Sequence, residues 1–184
     1  EMFSALEYSY DENKLIITKA ETLVAFGVLV PLGLLFLIRN NRWGLIGTYV
    51  IMLSGVVLLG GATWLHEEKV IDGFWWMTCV GLGAYLAYVP YGSVLFDRLI
   101  AQGHVVGTAV FAIYIMDAVG YTGSAVVQIY RDVFFAGSQE PNAARLSFFI
   151  DFSYLMAVVG LVLFVASLLY FLLRTSRAVI DPAR

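Results

Sequence analysis

The chain has 184 residues, of which 60% are hydrophobic and only 14% charged, against about 45–50% and about 25% in soluble domains. With a mean hydropathy of +0.81, this composition excludes a water-soluble domain and makes lipid the solvent for much of the chain. A net charge of −3 without a basic run excludes a nucleic-acid partner, and a single cysteine, Cys79, excludes a disulfide framework or a cysteine metal cluster.

Residues 1–19 are mixed and polar and lack the regions of a signal peptide. They are expected to lie outside the cytoplasm. A chain that opens on Glu1 is expected to be a fragment, or the processed remainder, of a longer protein. Five apolar segments follow, each near the roughly 20 residues that a spanning helix needs. Span A covers residues 20–38, B 45–65, C 74–96, D 105–130 and E 147–173. The fold class is therefore an all-α integral membrane bundle over 20–173, with residues 174–184 as a tail. The runs are too long for barrel strands, and a helix satisfies its own backbone inside hydrocarbon. Short connections predict that consecutive helices pack as antiparallel neighbours. The D–E connection, with Gly137, Glu140, Pro141 and Asn142, is the one long enough for an irregular excursion.

Polar and aromatic residues mark the boundaries. Thr18 and Glu21 form a T-x-x-E pattern at the start of span A, which reads as a capping box rather than a transport residue. Trp43, Trp64, Trp75 and Trp76 all fall near span ends, where indole favours the headgroup level. Arg39 and Arg42 crowd the A–B loop, and Arg174, Arg177 and Arg184 the tail. The positive-inside rule then puts that loop and the C-terminus in the cytoplasm and the N-terminus outside. The expected location is the cell membrane, the inner membrane of a bacterium.

The functional signal is polarity at membrane depth. Asp117 lies near the middle of span D, where a carboxylate costs about 2.5–3.5 kcal/mol on insertion scales. Asp117, Tyr121, Ser124 and Gln128 stand at i, i+4, i+7 and i+11, with Tyr114 one turn earlier. All share one helical face, which should line an interior or an aqueous cavity. Asp117 is read as a transport or coupling group, with a structural hydrogen-bond hub as the alternative. In span C, Gly81, Tyr85, Tyr88 and Gly92 repeat the spacing. They line either a solute site or a helix-packing seam. Pro90 and Gly92 predict a kink. Gly107, Gly120 and Gly123 in span D are alternatively packing residues, and Thr48, Ser54, Gly55, Gly60 and Gly61 in span B are read as packing. Asp97 and Arg98 close span C as a charge pair or headgroup contact, with a cytoplasmic gate as the alternative. Asp151 and Tyr154 either line an external vestibule or sit on a solvated helix start. Beyond them span E offers only Ser167 and Tyr170 as polar groups, and reads as lipid-facing.

Catalytic signatures are missing: the sequence has no G-x-S-x-G, H-E-x-x-H, Walker A or dinucleotide fingerprint. His66 and His104 are expected on opposite membrane sides, and Cys79 to be inert. The chain is read as a non-enzyme with no cofactor and no metal.

Several segments carry a family resemblance: Thr18-Lys-Ala-Glu21, Ile38-Arg-Asn-Asn41, Tyr88-Val-Pro-Tyr91 with Leu95-Phe-Asp-Arg98, and Asp117-Ala-Val-Gly-Tyr121. With these, the chain resembles the C-terminal half of a major facilitator superfamily (MFS) transporter, and more closely an uncharacterised bacterial group of MFS-like membrane proteins. The resemblance covers nearly the whole chain. It implies a six-helix half lacking its first helix, with spans A to E as helices eight to twelve. It also implies that C and D line the cavity, that E faces lipid, and that a missing N-terminal half completes any site between halves. Span A, with little polarity at depth, fits less well. The basic, glycine-containing loop motif is only hinted at by Arg39-Asn-Asn-Arg-Trp-Gly44.

The resulting expectation is a fragment of a secondary active transporter for a small organic solute, coupled to protons through Asp117. Tyr85, Tyr88, Tyr121 and Gln128 would contact solute or orient the carboxylate. The alternative is a non-transporting polytopic protein (a sensor, scaffold or assembly subunit) whose polar faces bind partner helices.

Overall fold

The computed structural model describes residues 14–103, 109–135 and 141–180. Expectations for residues 1–13, His104, Gly107, the first residues of span D, Gly137, Glu140 and residues 181–184 fall outside the described residues. The elements are α1 (Lys14–Phe36), α2 (Asn41–Glu67), α3 (Gly73–Pro90), a π-helical turn (Tyr91–Leu95), α4 (Phe96–Gly103), α5 (Ala109–Phe135) and α6 (Pro141–Ile180). Among the described residues there is no strand. Among the described residues, four stretches are long and apolar enough to cross a bilayer: Leu15–Phe36, Asn41–Glu67, Val110–Arg131 and Arg145–Leu173. The chain is thus an all-α membrane protein. The α3 helix has 18 residues, is rich in glycine, tyrosine and tryptophan, and is not among the four. It packs against both α1 and α2.

Local chemistry sets the helix ends. The Asn40 side chain accepts from the backbone N–H groups of Arg42 and Trp43 and starts α2. Asp72 does the same for Trp75 at 3.0 Å and starts α3. Both satisfy N-terminal donors that have no partner within the helix. The end of α2 is a Schellman turn: Lys69 N–H donates to His66 and Val70 N–H to Leu65. Lys69 takes the left-handed conformation that this turn requires (φ 59°).

Span A begins earlier than its sequence suggests. Thr18 and Glu21 lie inside α1, so the capping-box reading does not hold. The Thr22 hydroxyl donates back to the Thr18 carbonyl at 2.7 Å, as a mid-helix threonine does. Span C continues past residue 96, through the π turn to Gly103. Span E runs for 40 residues from Pro141, about 60 Å at the α-helical rise.

Packing does not follow chain order. The closest neighbours are α2 with α3, α2 with α6, and α1 with α3; consecutive α1 and α2 touch only slightly. Glycine decides the first contact. A Cβ on Gly55 would collide with the Gly83 carbonyl oxygen at 2.5 Å, and a Cβ on Gly83 with the Gly55 carbonyl oxygen at 2.6 Å. Only two missing side chains let the backbones cross so closely. On the α6 side, Gly60 meets Ala157 and Gly160 meets Val56. There the Tyr49 and Ser167 hydroxyls share a hydrogen bond of 2.6 Å. Gly27 of α1 lies against Leu82 of α3.

Three clusters fill the seams. Leu45, Tyr49, Met52 and Leu95 pack with Phe164, Leu168 and Phe171. Val24, Val28 and Leu86 join α1 to α3. Ala62, Trp76 and Met77 meet Phe149 and Ile150 of α6. Span E is therefore not simply lipid-facing: one stripe is packed on α2, and the rest is exposed. Nor is Trp76 a headgroup anchor. It is fully buried, stacks on His66 at 4.5 Å and donates to the Thr63 hydroxyl at 3.2 Å. Trp43, Trp64 and Trp75 are exposed. The packing reading of span B holds for Thr48, Gly55 and Gly60, whereas Gly61 faces open space and Ser54 is exposed, donating to Ile51.

Gly83→Ala is expected to destabilise the fold by about 1–3 kcal/mol through overpacking. Gly120→Ala on α5, where a Cβ meets nothing within 4 Å, should be neutral or stabilising by up to about 1 kcal/mol through helix propensity. Thermal unfolding of both variants in detergent micelles checks the contrast.

Candidate functional site

Pro90 shapes the centre of span C. It lacks a backbone donor, and an α-helix cannot continue its ladder unchanged through such a residue. The helix widens into a π turn over Tyr91–Leu95 and then resumes as α4. Widened turns of this kind are frequent at functional sites. Pro90 itself is fully buried. Gly92 has open space where a Cβ would be, so no close helix approach explains it.

Two residues before Pro90, the Tyr88 hydroxyl donates to Asp117 Oδ1 at 3.3 Å. This bond joins the span C and span D faces, which lie 29 residues apart in sequence. The rest of the span D face is uncovered. Tyr114 is 69% exposed and Tyr121 77%, and Ser124 and Gln128 are also exposed. Ser124 donates back to the Gly120 carbonyl at 2.9 Å and Thr122 to Ala118 at 2.8 Å. These serine and threonine hydroxyls are satisfied within their own helix. No residue of Val110–Arg131 is buried, and α5 touches α4 and α6 only lightly. A Cβ on Gly120 or Gly123 would meet nothing within 4 Å, so they are not packing glycines among the described residues.

The structure separates the two span C tyrosines. Tyr88 reaches Asp117, while Tyr85 lines a groove of about 710 Å³ between α1 and α3, together with Gly81, Thr78 and Glu21. Sequence reasoning passed over Glu21 because the T-x-x-E pattern had a ready local explanation. Asp151 and Tyr154 are separated too. Asp151 is exposed and lines a smaller groove between α5 and α6, of about 340 Å³, with Tyr130 and Phe152. Tyr154 donates a short hydrogen bond to the Glu67 carboxylate at the end of α2. Neither sits at a helix start, since α6 begins at Pro141.

Asp97 and Arg98 do not form a pair on one face. Asp97 is exposed. The half-buried Arg98 turns the other way and closes the end of α1. Its guanidinium donates to the carbonyls of Leu35 (3.4 Å), Ile38 (3.1 Å) and Asn40 (3.4 Å). The Asn41 side chain returns a bond to the Arg98 carbonyl at 3.5 Å. Carbonyls at a helix C-terminus lack intrahelical donors and carry the negative end of the helix dipole, so a cation there is stabilising. Gly44 makes room for it: a Cβ at that position would overlap the guanidinium. The signal available in the sequence was a basic residue shortly after a proline break and a glycine four residues past the α1–α2 loop, which only the fold connects.

The sequence pattern of a family of unknown function, DUF5690, matches residues 1–174. The chain belongs to that family. Comparison with curated proteins and with solved structures gives no match. Among the described residues, no group of three or more His, Cys, Asp and Glu side chains could hold a metal ion.

Arg98→Ala is expected to cost about 2 kcal/mol, the scale of losing charged hydrogen bonds to otherwise unpaired carbonyls. Arg98→Lys should recover only part of it, because an ammonium cannot fan across three acceptors as a guanidinium does. Thermal unfolding in micelles measures both variants.

Proposed function

We propose that the chain is part of an MFS-type secondary active transporter for a small organic solute, with Asp117 as its proton-coupling carboxylate. The observation that carries the reading is the Tyr88–Asp117 hydrogen bond within a polar face left uncovered on α5. A carboxylate at membrane depth is retained where it faces water, a partner charge or a substrate path. The Tyr88 hydroxyl donates to Asp117 and holds its carboxylate against α3. Solute or proton arrival that breaks this bond would couple carboxylate protonation to the position of α3. The π turn just beyond Tyr88 supplies a place for α3 and α4 to move relative to one another. Tyr121, Ser124 and Gln128 continue the same face and contact the solute. The N-terminal half of the transporter supplies the opposite wall.

A second reading has its own support. Gly120 and Gly123 lie on α5 with open space beside them, as they would if a helix of another protein packed there.

The test uses the full-length protein in liposomes that enclose a pH-sensitive dye. Pools of sugars, amino acids, carboxylic acids and amines are added under an imposed pH gradient. The expected result is a proton flux dependent on one pool. Asp117→Asn should abolish that flux, and Tyr88→Phe should slow it by about ten-fold, the equivalent of about 1.4 kcal/mol. Unchanged coupled flux in Asp117→Asn overturns the coupling role. Crosslinks from position 121 to another polypeptide, with no flux for any pool, establish the partner-binding reading instead.

A further inference from the structure

The groove between α1 and α3 carries a carboxylate that the proposed transport path does not use. Glu21 lies within the apolar stretch Leu15–Phe36, about 9 Å along the helix from Leu15 at the α-helical rise. Its side chain is exposed and lines the groove. Among the described residues it makes no hydrogen bond and no ion pair. The Tyr85 hydroxyl, at the other end of the groove, is likewise unbonded among the described residues. The wall between them is apolar, made by Val24, Val28 and Leu29 of α1 and Met77 of α3. From Ala20 to Leu29 it extends about 13 Å along α1.

This shape has a matching chemistry. A volume of about 710 Å³ falls in the range of small-molecule sites, which are mostly apolar with a few convergent polar groups. A carboxylate without a protein partner inside a membrane stretch is expensive unless a cation meets it. An apolar wall at least two helical turns long needs a chain or ring system to cover it. We propose that the α1–α3 groove binds an amphiphilic primary amine, its ammonium on Glu21 and its apolar body along Val24 and Val28 toward Tyr85. The site is distinct from the Asp117 face, and it binds a free amine rather than the headgroup of an aminolipid.

Gly81 keeps the floor of the groove low. A Cβ there would meet Val24 at 3.6 Å, an ordinary contact, so the missing side chain widens the groove instead of permitting a crossing. Ala25 is small and exposed on the same wall. A large ring at position 25 would fill the space without touching the charge.

Calorimetry of the full chain in phosphatidylcholine nanodiscs, with empty discs subtracted, tests the proposal. The probes are octylamine and octanol, which share a tail and differ in charge. The expected result is saturable binding of octylamine and none of octanol. Glu21→Gln should weaken octylamine at least ten-fold, Glu21→Asp should retain most of the affinity, and Ala25→Phe should abolish binding. Glu21 and Ala25 are exposed, and a common unfolding temperature for all three variants confirms that the fold is kept. Three results overturn the proposal: no saturable binding by the unaltered chain, equal binding of octanol, or unchanged affinity in Glu21→Gln. Loss of octylamine binding in discs that contain phosphatidylethanolamine assigns the groove to a lipid headgroup and overturns the free-amine assignment. No step of the measurement requires flux, so its failure leaves the role of Asp117 standing, and the failure of that role leaves the groove standing.

Discussion

The backbone approach of Gly55 to Gly83 is the constraint on which the remaining contacts depend. Hydrocarbon offers no hydrophobic drive for one apolar helix to prefer another, so close packing and polar bonds must hold a membrane bundle together. Here two glycines face each other, and each would lose its place to a single methyl group. With α2 and α3 locked at that crossing, α2 presents Val56 and Gly60 to α6, and α3 presents Leu82 to Gly27 of α1. The Tyr49–Ser167 hydroxyl pair and the buried Trp76–Thr63 bond then fix the ends of the same assembly.

Against that rigid centre, α5 stands apart. The four helices α1, α3, α2 and α6 form a packed row, while α5 is long, apolar enough to span a bilayer and unburied within Val110–Arg131. One tie to the row, through Tyr88 and Asp117, is polar. A polar tie can be remade by a proton or a solute, whereas a glycine crossing cannot. The proposed transport role uses this division, with α5 as the moving part. The same division would suit a helix that waits for a partner.

Arg98 connects the two ends of this arrangement. The π turn after Pro90 leads into the eight-residue α4 that carries Arg98. Its guanidinium on the Leu35, Ile38 and Asn40 carbonyls fastens it to the end of α1. The residue that looked like half of a surface charge pair is thus a cap on a distant helix. Glu21 shows the opposite displacement: a residue with a local explanation lines a groove between α1 and α3.

Much of this was legible without coordinates. The length and apolarity of the runs determine that the chain is helical and lives in a membrane, because a backbone in hydrocarbon must bond to itself within one segment. The spacing of Tyr114, Asp117, Tyr121, Ser124 and Gln128 determines a single polar face, because the helical period does. Pro90 determines a disturbed hydrogen-bond ladder in span C, because its nitrogen cannot donate. Pairings between helices were not legible. That α1 sits on α3 rather than on α2, that Trp76 is buried while Trp75 is exposed, that Ser167 bonds Tyr49, and that Arg98 turns away from Asp97 all depend on contacts between residues distant in sequence. Helical periodicity says which residues share a face; it carries no information about what that face meets. Only the tertiary structure decides that, since in a uniformly apolar solvent the choice rests on the shape of glycine gaps and the reach of individual polar side chains.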